Sequence, residues 1–312
     1  MSGAMTAARA AGGDARQDEA AYEDGPAAGF GAELLVAPPG SRRMRWTQLA
    51  AVTRIELVRQ IVRRRAFGAM VLAAVPVLMM TAWALLGEEI SASPSDVHGI
   101  FAHIFRGFLV NLVIFFGTVV IFSTLIRREV RDKTLHYHFL APVRRDLLMA
   151  GKYAAGVLAG WLIFGLSTAL SFGLAYAPFL SRHPVETRAF FLDGPGFAHF
   201  GAYLLVTALA VVGYGAVFLA LGMFFKNPLF PAVAVYLWEI GNFLLPPVLK
   251  KVSVAHYLTA LLPVPVTEGP FALLSDLPSP WLAAPGLLVV SAALVALAAW
   301  KIRRMEVLYG ED

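Results

Sequence analysis

The sequence predicts an all-α integral membrane protein with six transmembrane helices, an N-terminal interfacial amphipathic helix, and a short cytoplasmic helix between the second and third crossings. Three observations predict it. Of 312 residues, 58% are hydrophobic and only 15% charged, with a mean hydropathy of +0.66, far more apolar surface than a water-soluble domain buries. Six windows each hold the roughly 20 predominantly apolar residues that a helical crossing needs, at about 66–86, 107–126, 153–177, 200–225, 229–249 and 281–300. Lys and Arg are distributed very unequally between the connections.

The windows must be helical, because lipid cannot satisfy an open backbone. The alternating pattern of a transmembrane β-barrel is excluded by 110–120, which is apolar on every side apart from Asn111 and Thr118. Glu239, in the fifth window, is the only formal charge in any of them.

Sidedness follows from the positive-inside rule. Residues 41–65 carry eight Lys or Arg, residues 127–152 carry seven, and Lys226, Lys301, Arg303 and Arg304 lie on the same side. The other side holds Arg106, Arg182, Arg188, Lys250 and Lys251. Both termini are therefore expected in the cytosol of a protein of the cytoplasmic (inner) membrane. The net charge of +5 is juxtamembrane charge that anionic lipid attracts, and nucleic acid is not an expected partner. With no cysteine, disulfides, thiolate metal sites and cysteine nucleophiles are excluded.

Residues 1–40, rich in Ala, Gly and acidic side chains, are expected to form a disordered cytosolic tail rather than a signal peptide. Residues 41–312 form the membrane domain. It opens on a basic helix in which Leu57, Val58, Ile61 and Val62 share one face, with Glu56, Arg59, Gln60 and Arg63 on the other. This pattern suits a helix lying along the membrane surface. The first external loop is expected at 87–106, where His98 and His103 are read as surface residues because their spacing shares no helical face. The segment 250–280 is apolar yet broken by Pro263, Pro265, Pro270, Pro278 and Pro280. Such a segment suits short helices dipping back into the outer leaflet, as packing or as a lid over a pathway. No internal repeat is visible, so an inverted-repeat transporter gains no support.

Conventional catalytic signatures are absent: there is no HExxH, no GxSxG and no GxxxxGK[ST], since Gly151-Lys152 is followed by Tyr153. Within 127–152, Arg128 with Asp132 and Glu129 with Lys133 are opposite charges four apart, which extends the second crossing as a helix into the cytosol. Ala141-Pro142 breaks it. Residues 143–150 then read as a new short helix presenting Leu147 and Leu148 beside Arg144, Arg145 and Asp146. In the fifth window, Asn242 lies three residues beyond Glu239 on the same face. A charge there faces protein or water, so the pair is a candidate for a pathway or a dimer interface. Phe115 and Phe116 could meet an apolar substrate, with packing the commoner role of such rings.

The segment resembles the ABC-2 type membrane permeases, the transmembrane subunits of ATP-binding cassette exporters. Their corresponding loop runs approximately E-x-x-x-G-T-L, then T-P-V-S-R, then G-K. Here Glu129, Thr134 and Leu135, then Pro142, Val143 and Arg145, then Gly151 and Lys152 stand in register, whereas Lys133, Ala141 and Arg144 depart from the pattern. The resemblance implies that this segment is a coupling helix docking on a separate ABC ATPase, with Glu129, Arg131, Thr134, Leu135, Pro142, Val143, Arg144, Arg145, Leu147 and Lys152 as coupling residues. It further implies two ATPase copies per complex, ATP and Mg in that partner and no cofactor in this chain, and a second permease copy as homodimer or heterodimer. A membrane anchor that recruits a cytosolic partner without transport is the alternative, and an intramembrane enzyme the weakest reading.

Overall fold

The computed structural model describes residues 42–61, 66–86, 94–131, 145–225, 227, 229–266 and 277–303. The chain divides into two compact units, Met1–Ala51 and Val52–Asp312. In the first, the described residues are helical and belong to α1, Arg42–Ile61, with Thr47 Oγ1 donating back to the Arg43 carbonyl at 2.9 Å. Everything below concerns the second. Its elements are α2 Phe67–Leu86, α3 Pro94–Ile104, a π-helical segment Phe105–Ile114, α4 Phe115–Arg131, α5 Arg145–Arg182, α6 Pro184–Leu192, α7 Gly196–Phe224, α8 Leu229–Ile240, a 3-10 turn Gly241–Leu244, α9 Pro247–Lys250, α10 Val254–Ala260 and α11 Pro280–Arg303.

Five of these stretches are long and apolar enough to cross a membrane: Phe67–Leu85, Asp96–Ser123, Asp146–Arg182, Gly196–Phe224 and Pro280–Ile302. The chain is thus an all-α, multi-pass membrane protein. The expected window at 229–249 departs from this pattern. Its helix α8 has 12 residues, about 18 Å at the α-helical rise against a hydrocarbon core of about 30 Å. Gly241 and Asn242 tighten it into a 3-10 turn, and Pro246-Pro247 then ends the run, because proline cannot continue a helix.

The second crossing begins earlier than expected. Residues 94–131 form one continuous rod, so Arg106 lies within a helix and not in a loop. The reason is tertiary. Val97, Phe101 and Phe105 recur every four residues and are all buried, with Phe101 set edge-on to Phe172 at 5.2 Å and to Tyr203 at 5.1 Å. His98 is accordingly not a surface residue: it stacks on His199 at 4.3 Å and meets the Tyr176 hydroxyl through Nδ1 at 2.9 Å. His103 stays exposed.

The core centres on α7, whose span is 67% buried, against 22% for those of α2 and α11. Glycines make that close packing feasible. A Cβ at Gly215 would lie 2.5 Å from the ring of Phe122, and one at Gly117 would run into the ring of Phe164, the small-residue logic of helix contacts in lipid. In α2, Pro76 lacks the N–H that would meet the Leu72 carbonyl, and Ser167 of α5 donates to the next carbonyl, Ala73, at 2.6 Å, tying α5 to α2 at the proline turn.

Candidate functional site

Glu239 occupies the last turn of α8, is 6% exposed and accepts hydrogen bonds from across the bundle. Its Oε2 takes the Ala255 N–H at 2.8 Å, the Ser253 hydroxyl at 2.9 Å and the Tyr214 hydroxyl at 3.4 Å, and its Oε1 takes the Val254 N–H at 3.0 Å. The acid thereby satisfies two of the backbone donors that the first turn of α10 leaves open. Ser253 is the N-cap of α10, and Asn242 Nδ2 donates to its Oγ at 2.6 Å. The sequence singled out Glu239 and Asn242, and the structure brings them together on Ser253. It also supplies the partners that the sequence could not: Tyr214 is 25 residues away, and α10 follows only after a double proline.

Phe115 and Phe116 are packing residues in this arrangement. Phe115 is fully buried, edge-on to Tyr214 at 5.1 Å and to Phe218 at 5.0 Å. Phe116 is half-buried with its ring 4.7 Å from that of Tyr236.

A second buried polar cluster lies where α1 meets the start of α5. Lys152 Nζ donates to Glu56 Oε1 at 3.0 Å with both side chains almost wholly buried. Arg59 reaches the same oxygen at 3.1 Å, and Thr53 Oγ1 donates to the Gly151 carbonyl at 3.4 Å. The face of α1 that packs is the one expected to be polar: Glu56 and Gln60 point inward, at 2% and 0% exposure, while Ile55 and Val58 are half-exposed. The cause is Lys152, since a buried ammonium is tolerable only beside a carboxylate, and in lipid an outward apolar face carries no penalty. Leu57, Arg59 and Ile61 are intermediate, and Val62 and Arg63 lie outside the described residues.

Beside the first cluster, the π segment and α8 border a cavity of about 260 Å³ lined by Arg106, Gly107, Asn111, Glu239, Ile240 and Asn242, among others. Pi winding is rare and recurs at functional sites. Among the described residues, no group of three or more His, Cys, Asp or Glu could hold a metal ion.

The family model of ABC-2 family transporter proteins matches residues 60–242, more than half of the chain. The chain belongs to the ABC-2 transporter family. A comparison with curated proteins finds no match. Within this ABC-2 domain, most of the expected coupling segment, including Thr134, Leu135, Pro142, Val143 and Arg144, lies outside the described residues. Backbone helix extends to Arg131 at one edge and resumes at Arg145 at the other, so Glu129 and Arg131 sit on a helical extension of the second crossing, as the charge spacing predicts. The separate short helix expected at 143–150 differs: from Arg145 onward the chain is already α5, 38 residues without interruption. Asp146 to Lys152 contain no proline, and Leu148 and Met149 are buried, which anchors this first part of the rod despite Gly151. Leu147 is half-exposed. Lys152, expected at a docking surface, is instead enclosed by Glu56.

Proposed function

We propose that this chain is the transmembrane permease subunit of an ABC exporter, moving a substrate across the cytoplasmic membrane with ATP hydrolysed by a separate ATPase subunit. The observation that carries the reading is the family match across 60–242, which takes in the cationic segment at 127–152 and the crossings on either side. Two permease copies would form the pathway and two ATPase copies would dock beneath them, with ATP and Mg held by the ATPase. This chain would supply the route and the mechanical input, and no bond-breaking chemistry of its own.

The buried Lys152–Glu56 pair supports a mechanical role. It joins α1 to α5 immediately after the cationic segment, so a push on that segment would move both helices together. Lys152 is then a positioning residue, while Glu129, Arg131, Pro142, Val143, Arg144 and Arg145 remain the proposed contacts with the ATPase, where complementary charge favours encounter. The helix α8 with its 3-10 turn would complete a sixth, broken crossing. Irregular backbone survives at membrane depth when protein satisfies it, and Glu239 and Asn242 do so here. An even number of crossings agrees with the excess of Lys and Arg at both ends of the domain.

The test is uncoupling. In proteoliposomes containing the chain and its cognate ATPase, Glu129→Ala and Pro142→Gly should leave the complex assembled while ATP turnover loses its response to cargo. A membrane anchor would show no such response in the wild-type complex. Variants that export normally would remove the coupling role.

A further inference from the structure

The polar cavity beneath the π segment has no part in coupling, yet its construction points to a ligand. In an α-helix, Arg106 and Asn111 would face apart. With i→i+5 bonding, residues five apart come nearly above one another, and the π segment Phe105–Ile114 thereby delivers both to the same cavity wall. α8 and the 3-10 turn after it contribute Glu239 and Asn242 to the same lining. Among the described residues the side-chain amide of Asn111 makes no hydrogen bond, and Oδ1 of the buried Asn242 has no partner.

The lining is dipolar, with the Arg106 guanidinium and the His103 imidazole coming from the rod 94–131 and the Glu239 carboxylate from α8. A purely anionic guest would confront Glu239, and a purely cationic one would confront Arg106. A guest bearing both charges meets a complementary group for each. The lining also has an apolar part: Ile240, which lines the cavity with Ala255 and Val266, is 43% exposed.

We propose that this cavity binds the zwitterionic head of an amphiphile, with its anionic oxygens on Arg106 and Asn111, its cationic end against the unpartnered Oδ1 of Asn242 in the field of the already hydrogen-bonded Glu239 carboxylate, and its apolar chain running out past Ile240. Gly107 lines the same cavity, and a Cβ there meets nothing within 4 Å. The protein leaves this space open although a Cβ would fit without a clash and alanine would favour the helix.

The experiment uses the full chain in dodecyl maltoside micelles, titrated calorimetrically with four probes: decylphosphoethanolamine, decyl phosphate, decyltrimethylammonium, and phosphoethanolamine without a chain. The zwitterionic amphiphile should saturate one site per chain, at least about tenfold tighter than either singly charged probe, and Arg106→Gln should weaken it by about tenfold, the scale of one lost charge-assisted hydrogen bond. Gly107→Leu should abolish binding while keeping the wild-type unfolding midpoint. Equal binding of the singly charged probes, or wild-type binding by a folded Gly107→Leu protein, would overturn the site. If phosphoethanolamine alone binds as tightly, the guest is a water-soluble zwitterion and the amphiphile assignment fails. Binding is read on the isolated chain, so failure here leaves ATPase coupling untouched, and a failure of coupling leaves this site standing.

Discussion

At the scale of single residues, two buried polar side chains behave in opposite ways. Glu239 is saturated by four donors, so Glu239→Ala would strand two backbone N–H groups and two hydroxyls in the core. The expected cost is about 3 kcal/mol or more, the range for breaking a buried, charge-assisted network. Glu239→Gln keeps one acceptor and should cost less. Thermal unfolding of the chain in micelles reads both. Gln60 is the reverse case, wholly buried with both side-chain polar atoms lacking partners, and Gln60→Met should raise stability by about 1–3 kcal/mol by removing that penalty. The sequence exposed Glu239 as a lone charge in an apolar window. It could not expose the role of Glu56, because four polar residues on one face of a basic helix look solvated until the partner, 96 residues away, is placed against them.

At the scale of elements, the ion pair between α1 and α5 is the joint whose loss should be felt at a distance. Lys152→Met leaves the Glu56 carboxylate buried without its ammonium, and Glu56→Gln leaves the ammonium buried without its carboxylate. Stranding the ammonium is expected to cost about 3–5 kcal/mol, losing it costs less because Arg59 still pairs with Glu56, and the double substitution should cost markedly less than the sum. A double-mutant cycle on the unfolding midpoint measures that difference. Close packing gives a second prediction: Gly117→Leu should separate α4 from α5 because Phe164 fills the space, lowering stability by about 1–3 kcal/mol or more. The long crossings were legible because a continuous apolar run has one solution in lipid. The π segment was not, since no composition signal separates π from α winding. The shortness of α8 was half-legible: Gly241 and the double proline announce an end, but the pull of α10 on Glu239 is a tertiary effect.

At the scale of the whole molecule, the placement of the chain in the bilayer rests on charge asymmetry. Because the protein has no cysteine, single cysteines report sidedness without a background. His136→Cys, in the cationic segment, should react with a membrane-impermeant maleimide only from the cytosol, and Glu186→Cys, in α6, only from outside. The opposite pattern would invert the topology. Whole-molecule character was the most legible level of all: composition and charge asymmetry state a multi-pass membrane protein, and the motif at 129–152 pointed to the family before any fold was in view. The cavity beside Glu239 was the least legible feature, because its lining comes from α8, α10 and the π segment, whose meeting no local pattern encodes.

The central claim is that energy enters through the segment at 127–152 from an ATPase bound beneath the membrane. The most direct measurement is cross-linking from Val143→Cys with a short thiol-to-amine reagent in inside-out vesicles containing the chain and its cognate ABC ATPase. The account predicts a covalent permease–ATPase adduct whose yield changes between ATP-bound and nucleotide-free states, with no adduct from Glu186→Cys. Absence of any adduct at position 143, while the ATPase still co-purifies with the chain, would contradict it.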